Sequence, residues 1–337
     1  MKKTLINITC ALIPFPGLRR RTRDILRGYR VDKVDRLRDL IVTTTDIPKI
    51  PAAAGHLGLM QKALNKFSAA FDRLCAEKGI QYFVMGGGLI GKLRHNGWIP
   101  WDDDIDFAVV DGDWDKIVEF ARATFPNDDF DFCYSDRWHS LIQIIHRQTG
   151  LCIDVFKNRR WTRDIEWTPG DFSEIIARKK KYAAAIRRYD IFHFTRTART
   201  VMRRGDSART LQKKWEYFDK IMAAYDKIWD ETMMDGAKPA ADGAVISFTM
   251  LSFEAHDFHK NATVFPVRRT KFDGVTLSFP NDTEMYAEKY FGDIWRIPQS
   301  LAGHNPNNSK NFLDYIALKN IAESSDEEIY KKLTEKS

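Results

Sequence analysis

Val84 to Val110 reads VMGGGLIGKLRHNGWIPWDDDIDFAVV. Asp102, Asp103, Asp104 and Asp106 crowd together and run straight into an apolar stretch, Ile105 and Phe107 to Val110, which predicts a buried strand. Carboxylates this close repel, and each is best hydrated. Along a strand alternate residues share a face. Asp104 and Asp106 are therefore expected to project the same way, about 7 Å apart at roughly 3.3 Å per residue, with Asp102 on the same alternation and Asp103 turned away. Same-face carboxylates at the start of a buried strand are costly unless a cation neutralises them. Mg2+ (or Mn2+) suits that task, because it takes few carboxylates and completes its shell with water and substrate phosphate. The other reading is a solvated acidic loop that caps an ordinary strand.

Working outward, Gln81 to Met85 predicts a short strand, and Leu89 to Leu93 can open a helix, with Gly86, Gly87 and Gly88 between them. A glycine turn from strand to helix leaves backbone N–H groups accessible to a phosphate. Arg94 stands near enough in sequence to reach the same anion. Glycine turns are common, but one followed so closely by strand-borne aspartates offers phosphate donors and metal ligands side by side.

A third acidic ligand is expected on a neighbouring strand. Leu151 to Phe156, LCIDVF, is an apolar run with one charge, Asp154. A buried carboxylate needs a partner, either a metal or a structural cation such as Arg. The run Leu141 to His146 is expected to pair with it as a hairpin through Arg147 to Gly150. Asp104, Asp106 and Asp154 would then converge.

The segment resembles the signature of the LicD family, which includes bacterial phosphocholine transferases and the fukutin-related proteins. The residues that carry the resemblance are Gly86 to Gly88, Arg94-His95, Ile99-Pro100-Trp101 and Asp102 to Asp106. It covers His56 to Phe156 and returns at Phe265-Pro266, Phe272-Asp273-Gly274, Phe279-Pro280-Asn281-Asp282 and Tyr290 to Trp295. The family belongs to the nucleotidyltransferase superfamily. The resemblance implies an α+β fold, a twisted mixed sheet flanked by helices. It also implies metal held by Asp104, Asp106 and Asp154, with Asp102 beside them, and a donor cradled by Gly86, Gly87, Gly88, Lys92, Arg94 and His95. Two positions depart from the family pattern. Gly88 stands where Thr or Ser is common, which removes a hydroxyl and leaves phosphate contact to backbone N–H groups or to Lys92 and Arg94. Phe291 interrupts the usual step from Tyr to Gly.

By the same resemblance, the expected reaction moves a phospho-alcohol, phosphocholine or a polyol phosphate, from a CDP-linked donor to a hydroxyl of a cell-surface glycan and releases CMP. The alternatives are a nucleotidyltransferase that releases pyrophosphate and a non-catalytic glycan- or lipid-binding protein.

Composition agrees with a folded enzyme: 337 residues, 44% hydrophobic and 29% charged, with 9 Trp and 22 Phe. Cys10, Cys75, Cys133 and Cys152 are scattered, with no C-x-x-C pair, which argues against a zinc site or disulfide framework and suits a reducing cytosol. His256 and His259 share helical spacing but lack a second ligand pair, and read as ordinary polar residues. The net charge of +7 is concentrated between Arg19 and Arg38 and between Arg178 and Lys214, with Asp190 and Asp206 nearly alone against the second block. Such blocks attract acidic glycans or anionic lipid, or form a solvated helix face; nucleic acid is the weakest candidate because no recognition module is visible. Thr4 to Gly17 is largely apolar but shorter than the roughly 20 residues needed to span a bilayer. Followed by Arg19, Arg20, Arg21 and Arg23, it is expected to anchor a cytoplasmic protein at an anionic membrane surface.

The expected organisation is a basic lead-in over 1–51, a catalytic core over 52–160, a basic helical insert over 161–241, a C-terminal part over 242–325 packing on the core, and a frayed tail over 326–337. Periodicity predicts helices over His56–Lys78, Trp114–Thr124 and Lys213–Trp229. Ala244–Phe253 reads as a strand, Thr283–Tyr290 as a short helix capped by Thr283, and Asn305–Lys310 as a polar loop.

Overall fold

The computed structural model describes residues 45–135, 141–193, 199–246, 257–295 and 315–336. The chain divides into two units, residues 1–50 with 295–299, and residues 51–294 with 300–337. The described part of the first holds a 3-10 turn, Ile47–Lys49. The expected membrane anchor, Cys10, His256 and the polar loop Asn305–Lys310 lie outside the described residues, as does Ala244–Phe253 beyond Ile246.

All further elements belong to the second unit. They are α1 (Gly55–Lys78), β1 (Tyr82–Met85), α2 (Gly87–His95), β2 (Asp106–Val110), α3 (Gly112–Thr124), β3 (Phe130–Ser135), β4 (Leu141–His146), β5 (Cys152–Arg160), α4 (Pro169–His193), β6 (Arg199–Met202), α5 (Ala208–Trp229), β7 (Val245–Ile246), β8 (Phe258–His259), α6 (Asn261–Val264), β9 (Arg268–Phe272), β10 (Val275–Phe279), α7 (Thr283–Phe291), α8 (Tyr315–Glu323) and α9 (Asp326–Thr334).

The main sheet runs β1-β2-β5-β4-β3-β6, with β7 joining β5 to β8. β2 and β5 are parallel, and the other neighbours pair antiparallel. This is the α+β architecture expected, a twisted mixed sheet flanked by helices. Alternation along the strands sorts the two faces. Tyr82 and Phe107 turn toward α1, where Phe71 lies 5.5 Å and 4.7 Å from them, centroid to centroid. On α1, Leu64, Phe67, Phe71 and Leu74 recur at helical spacing and are buried, and Gly79 ends the helix in the left-handed region at φ 59°. Farther along the same face, Trp215 and Phe218 of α5 cover Phe132 and Tyr134 at 5.1 Å and 4.9 Å. Phe83 points the other way and meets Phe265 and Tyr286. Each ring so enclosed contributes roughly 1.5–3 kcal/mol of burial.

Four expectations need correction or extension. β3 and β6 were not expected: β6 is a four-residue edge strand inside a stretch whose basic composition reads as helix. Asp282, not Thr283, caps α7, its carboxylate accepting from Met285 N at 2.9 Å. The charged tail forms a helix rather than fraying. Ser325 caps α9, acids fill its first turn, Lys331 and Lys332 its last, and Ile329, Tyr330 and Leu333 pack toward α1. The basic block is also less solvated than its composition implies. Arg178 pairs with Glu174, Lys179 with Asp257, Arg204 with Asp128 and Lys214 with Asp206.

Candidate active site

Strand register brings the acidic residues together. Asp106 opens β2 and is the parallel-pair partner of Asp154 on β5, so both carboxylates leave the same face of the sheet. The ladder extends to Ile105, whose carbonyl accepts from Asp154 N at 3.5 Å. Asp102, Asp103 and Asp104 precede the strand in a loop, each offering a ligand oxygen within 4.8 Å of the others'. Asp103 therefore belongs to the cluster rather than turning away, because a loop is not bound to strand alternation.

The loop is held from below by α1. Gln61, buried, donates through Nε2 to the carbonyls of Ile99 at 3.1 Å and Asp102 at 2.9 Å. Trp98 Nε1 donates to Asn65 Oδ1 at 2.9 Å, and Asn65 Nδ2 donates to Asp273 at the β9–β10 turn. Like charges would otherwise spread this segment; packing and amide donors keep it in place.

The glycine turn lies directly on the carboxylates. A Cβ at Gly86, where φ is +62°, would collide with Asp106 Oδ2, and a Cβ at Gly87 would collide with Asp102 Oδ2. Backbone and carboxylates thus share one small space at the start of α2. Gly88 is different. A Cβ there would meet Val84 Cγ1 at 2.5 Å, so this position faces the β1 side chain instead of the acidic cluster.

Crowding sets the electrostatics. Burial first, and then the charges of Asp104, Asp154 and Asp102, push the Asp106 carboxyl well above the usual carboxylate range. Asp154 accepts from Gln143 Nε2 at both oxygens, 2.9 Å and 3.0 Å. Arg94 is buried on α2. Its Nη1 donates to the Ile294 carbonyl at 2.8 Å, its Nε to His95 Nε2 at 3.0 Å, and its guanidinium stands 5.7 Å from the Trp101 ring centroid. Burial lowers the Arg94 pKa, and Asp102 opposes that shift, which places the cation within electrostatic reach of the cluster. Burial and Arg94 together lower the His95 imidazole to about 4, so the ring is neutral at neutral pH and accepts the Arg94 hydrogen bond. The contacts of Lys92 are with Asn96 Oδ1 at 2.6 Å and the Lys271 carbonyl at 2.9 Å, which tie α2 to β9.

The structure thus gathers Gly86, Gly87, Asp102, Asp103, Asp104, Asp106 and Asp154. Arg94 and His95 form a supporting layer beside Asp102, and Lys92 and Gly88 face neighbouring elements. An all-oxygen donor set in which one carboxyl is driven toward protonation by its neighbours fits a hard divalent cation such as Mg2+ or Mn2+. Sequence reasoning missed Gln61, Asn65, Asp103 and Gln143. Gln143 left one legible trace: it is the polar residue in LIQIIH at the position that pairs with Asp154. His146 and Thr149, bonded to each other at 2.9 Å in the β4–β5 turn, pack into the core and lie outside the site. None of the described cysteines, Cys75, Cys133 and Cys152, is in a disulfide.

Comparison with known proteins centres on this same region. Residues 79–159 match the family described as LicD/FKTN/FKRP, nucleotidyltransferase domain. The chain is similar to the lipopolysaccharide cholinephosphotransferase LicD of Haemophilus influenzae, 45% identical over 49 residues, 14% of this chain and 18% of that protein. It is also similar to uncharacterized proteins of Rickettsia prowazekii and Rickettsia typhi, each 36% identical over 55 residues, 16% of this chain and 21% and 18% of those proteins. The match spans about a fifth of the length of these curated relatives. The region that matches the LicD/FKTN/FKRP nucleotidyltransferase domain, residues 79–159, is the one that holds the glycine turn packed on Asp102 and Asp106 and the paired Asp106 and Asp154.

Proposed function

We propose that this protein transfers a phospho-alcohol, phosphocholine or a polyol phosphate, from a CDP-linked donor to a hydroxyl of a cell-surface glycan, with release of CMP. The supporting observation is the meeting of Asp106 and Asp154 on adjacent parallel strands, under a glycine turn that leaves no room for a side chain.

Asp104, Asp106 and Asp154, with Asp102 beside them, would hold Mg2+ or Mn2+. Bound there, the ion supplies Lewis-acid stabilisation of charge on the phosphoryl oxygens. The turn at Gly86 and Gly87 offers the diphosphate backbone N–H groups at the start of a helix. Arg94, anchored on Ile294, keeps the Asp102 loop from repelling an anionic donor. The acceptor oxygen bonds to the distal phosphorus as the bond to the bridging oxygen breaks, and CMP leaves with that electron pair. Asp106 or Asp154 takes the proton of the attacking hydroxyl. We place the reaction in the cytoplasm, with residues 1–51 at the anionic face of the membrane. Among the described residues no helix is long and apolar enough to cross a bilayer.

The test is incubation of the full chain with Mg2+, a panel of CDP-alcohols and a glycan acceptor, measuring CMP. Pyrophosphate released from CTP in place of CMP would make the protein a nucleotidyltransferase. Binding of glycan or lipid with neither product would make it a non-catalytic binding protein.

A further inference from the structure

Gln143 sits at the centre of the sheet on β4, opposite Asp154 in the β4–β5 ladder. Its Nε2 lies 2.9 Å from Asp154 Oδ1 and 3.0 Å from Oδ2. A donor so nearly equidistant from both oxygens straddles the mouth of the carboxylate, the position a cation takes when a carboxylate chelates through both oxygens. The same amide nitrogen lies 3.6 Å from Cys152 Sγ, so the side chain is also braced along β5.

We propose that Gln143 is a specificity-determining residue for the cation. By filling the two-oxygen mouth of Asp154, it restricts that carboxylate to one-oxygen coordination. This inference rests on the metal-dependent reading of the site. Its chemical consequence is selectivity. Ca2+ takes six to eight oxygens and favours two-oxygen carboxylates, whereas Mg2+ demands an octahedron and takes one oxygen from each carboxylate, with water in the remaining positions. A site in which Asp154 cannot chelate therefore disfavours Ca2+, the cation that would compete with Mg2+ for an all-oxygen cluster. The role is distinct from that of Asp154, because Gln143 touches the ligand and not the ion.

The experiment measures binding of Mg2+ alone and of Ca2+ alone to the full chain by calorimetry. The wild-type protein, Gln143→Met and Gln143→Leu are compared, with folding checked by circular dichroism. Wild type should prefer Mg2+, and both variants should lose about tenfold of that preference, chiefly through tighter Ca2+ binding. Folded variants whose Mg2+/Ca2+ ratio matches wild type would overturn the proposal while leaving the metal reading standing. A wild-type preference for Ca2+ would overturn it as well, whether or not the variants fold. If wild type binds neither ion, with or without CDP-choline, the metal reading and this inference fall together.

Discussion

Gly86 and Asp106 occupy adjoining space so tightly that a single methyl group on Gly86 would strike the Asp106 carboxylate. The glycine is thus doubly required, once for its positive φ and once for the approach of β2.

Gly86→Ala should therefore be costly for activity beyond its cost in stability. A backbone at φ 62° and ψ -144° is nearly exclusive to glycine, and forcing another residue into it costs roughly 1–3 kcal/mol. The methyl group must in addition displace Asp106, a residue proposed to hold the ion, and a shift of about 1 Å in a catalytic group costs on the order of 100-fold in rate. We expect a folded protein with a lowered melting temperature and CMP release at least 100-fold below wild type. Near-normal turnover would mean that Asp106 is not needed where it stands.

Asp106→Asn should separate function from stability. Burial and the charges of Asp104, Asp154 and Asp102 all oppose ionisation of Asp106. Replacing it with a neutral near-isostere removes that repulsion. The metal-free protein, melted in EDTA at pH 7, should gain on the order of 1 kcal/mol, while transfer activity is lost. A destabilised variant would show that the carboxylates are already compensated within the protein.

How much of this was legible in the sequence depends on the range of the interaction. The turn from β1 into α2, the aspartates ahead of β2 and the hairpin that presents Asp154 are local patterns, whereas the β2–β5 register that sets Asp106 beside Asp154 is not. Gln61 and Gln143 were hidden because a glutamine has no periodic signature. Gln61 acts on a loop 38 to 41 residues away, and Gln143 acts only once the ladder has set its register. The motif presents Arg94 as within reach of a phosphate, but it does not show that the Ile294 carbonyl returns to accept from its guanidinium. The α9 helix was missed because its charges dominate its composition, while Ile329, Tyr330 and Leu333 make a stripe that has meaning only against α1.

Asp171 gives a pH signature remote from the site. Burial raises its pKa, but the ion pair with Arg163 and hydrogen bonds from Thr168 N and Glu166 N outweigh that and hold the carboxyl at about 2. A carboxyl with a folded pKa below its unfolded value, about 3.9, stabilises the fold above that value and loses the contribution as pH falls toward 2. Asp171→Asn should accordingly be less stable than wild type at pH 7, with the gap closing between pH 4 and pH 2. Denaturant melts across that range check it, and a gap independent of pH would assign the effect to packing.

Gln61 should matter to the reaction although it touches no carboxylate. Its amide is what joins α1 to the carbonyls of Ile99 and Asp102, and the site around it is buried. Gln61→Ala leaves those carbonyls without their side-chain donor, at a cost of roughly 1–3 kcal/mol, and frees the loop that carries Asp102, Asp103 and Asp104. Gln61→Glu keeps the shape but replaces the donating amide with a carboxylate facing two carbonyls beside an acidic cluster. The order expected for both melting temperature and CMP release is wild type, then Gln61→Ala, then Gln61→Glu. Raising Mg2+ should restore part of the activity of Gln61→Ala, because a loosened ligand loop weakens ion binding before it alters the chemistry. Equal activity in the alanine and glutamate variants would show that Gln61 fills space and does not hold the loop.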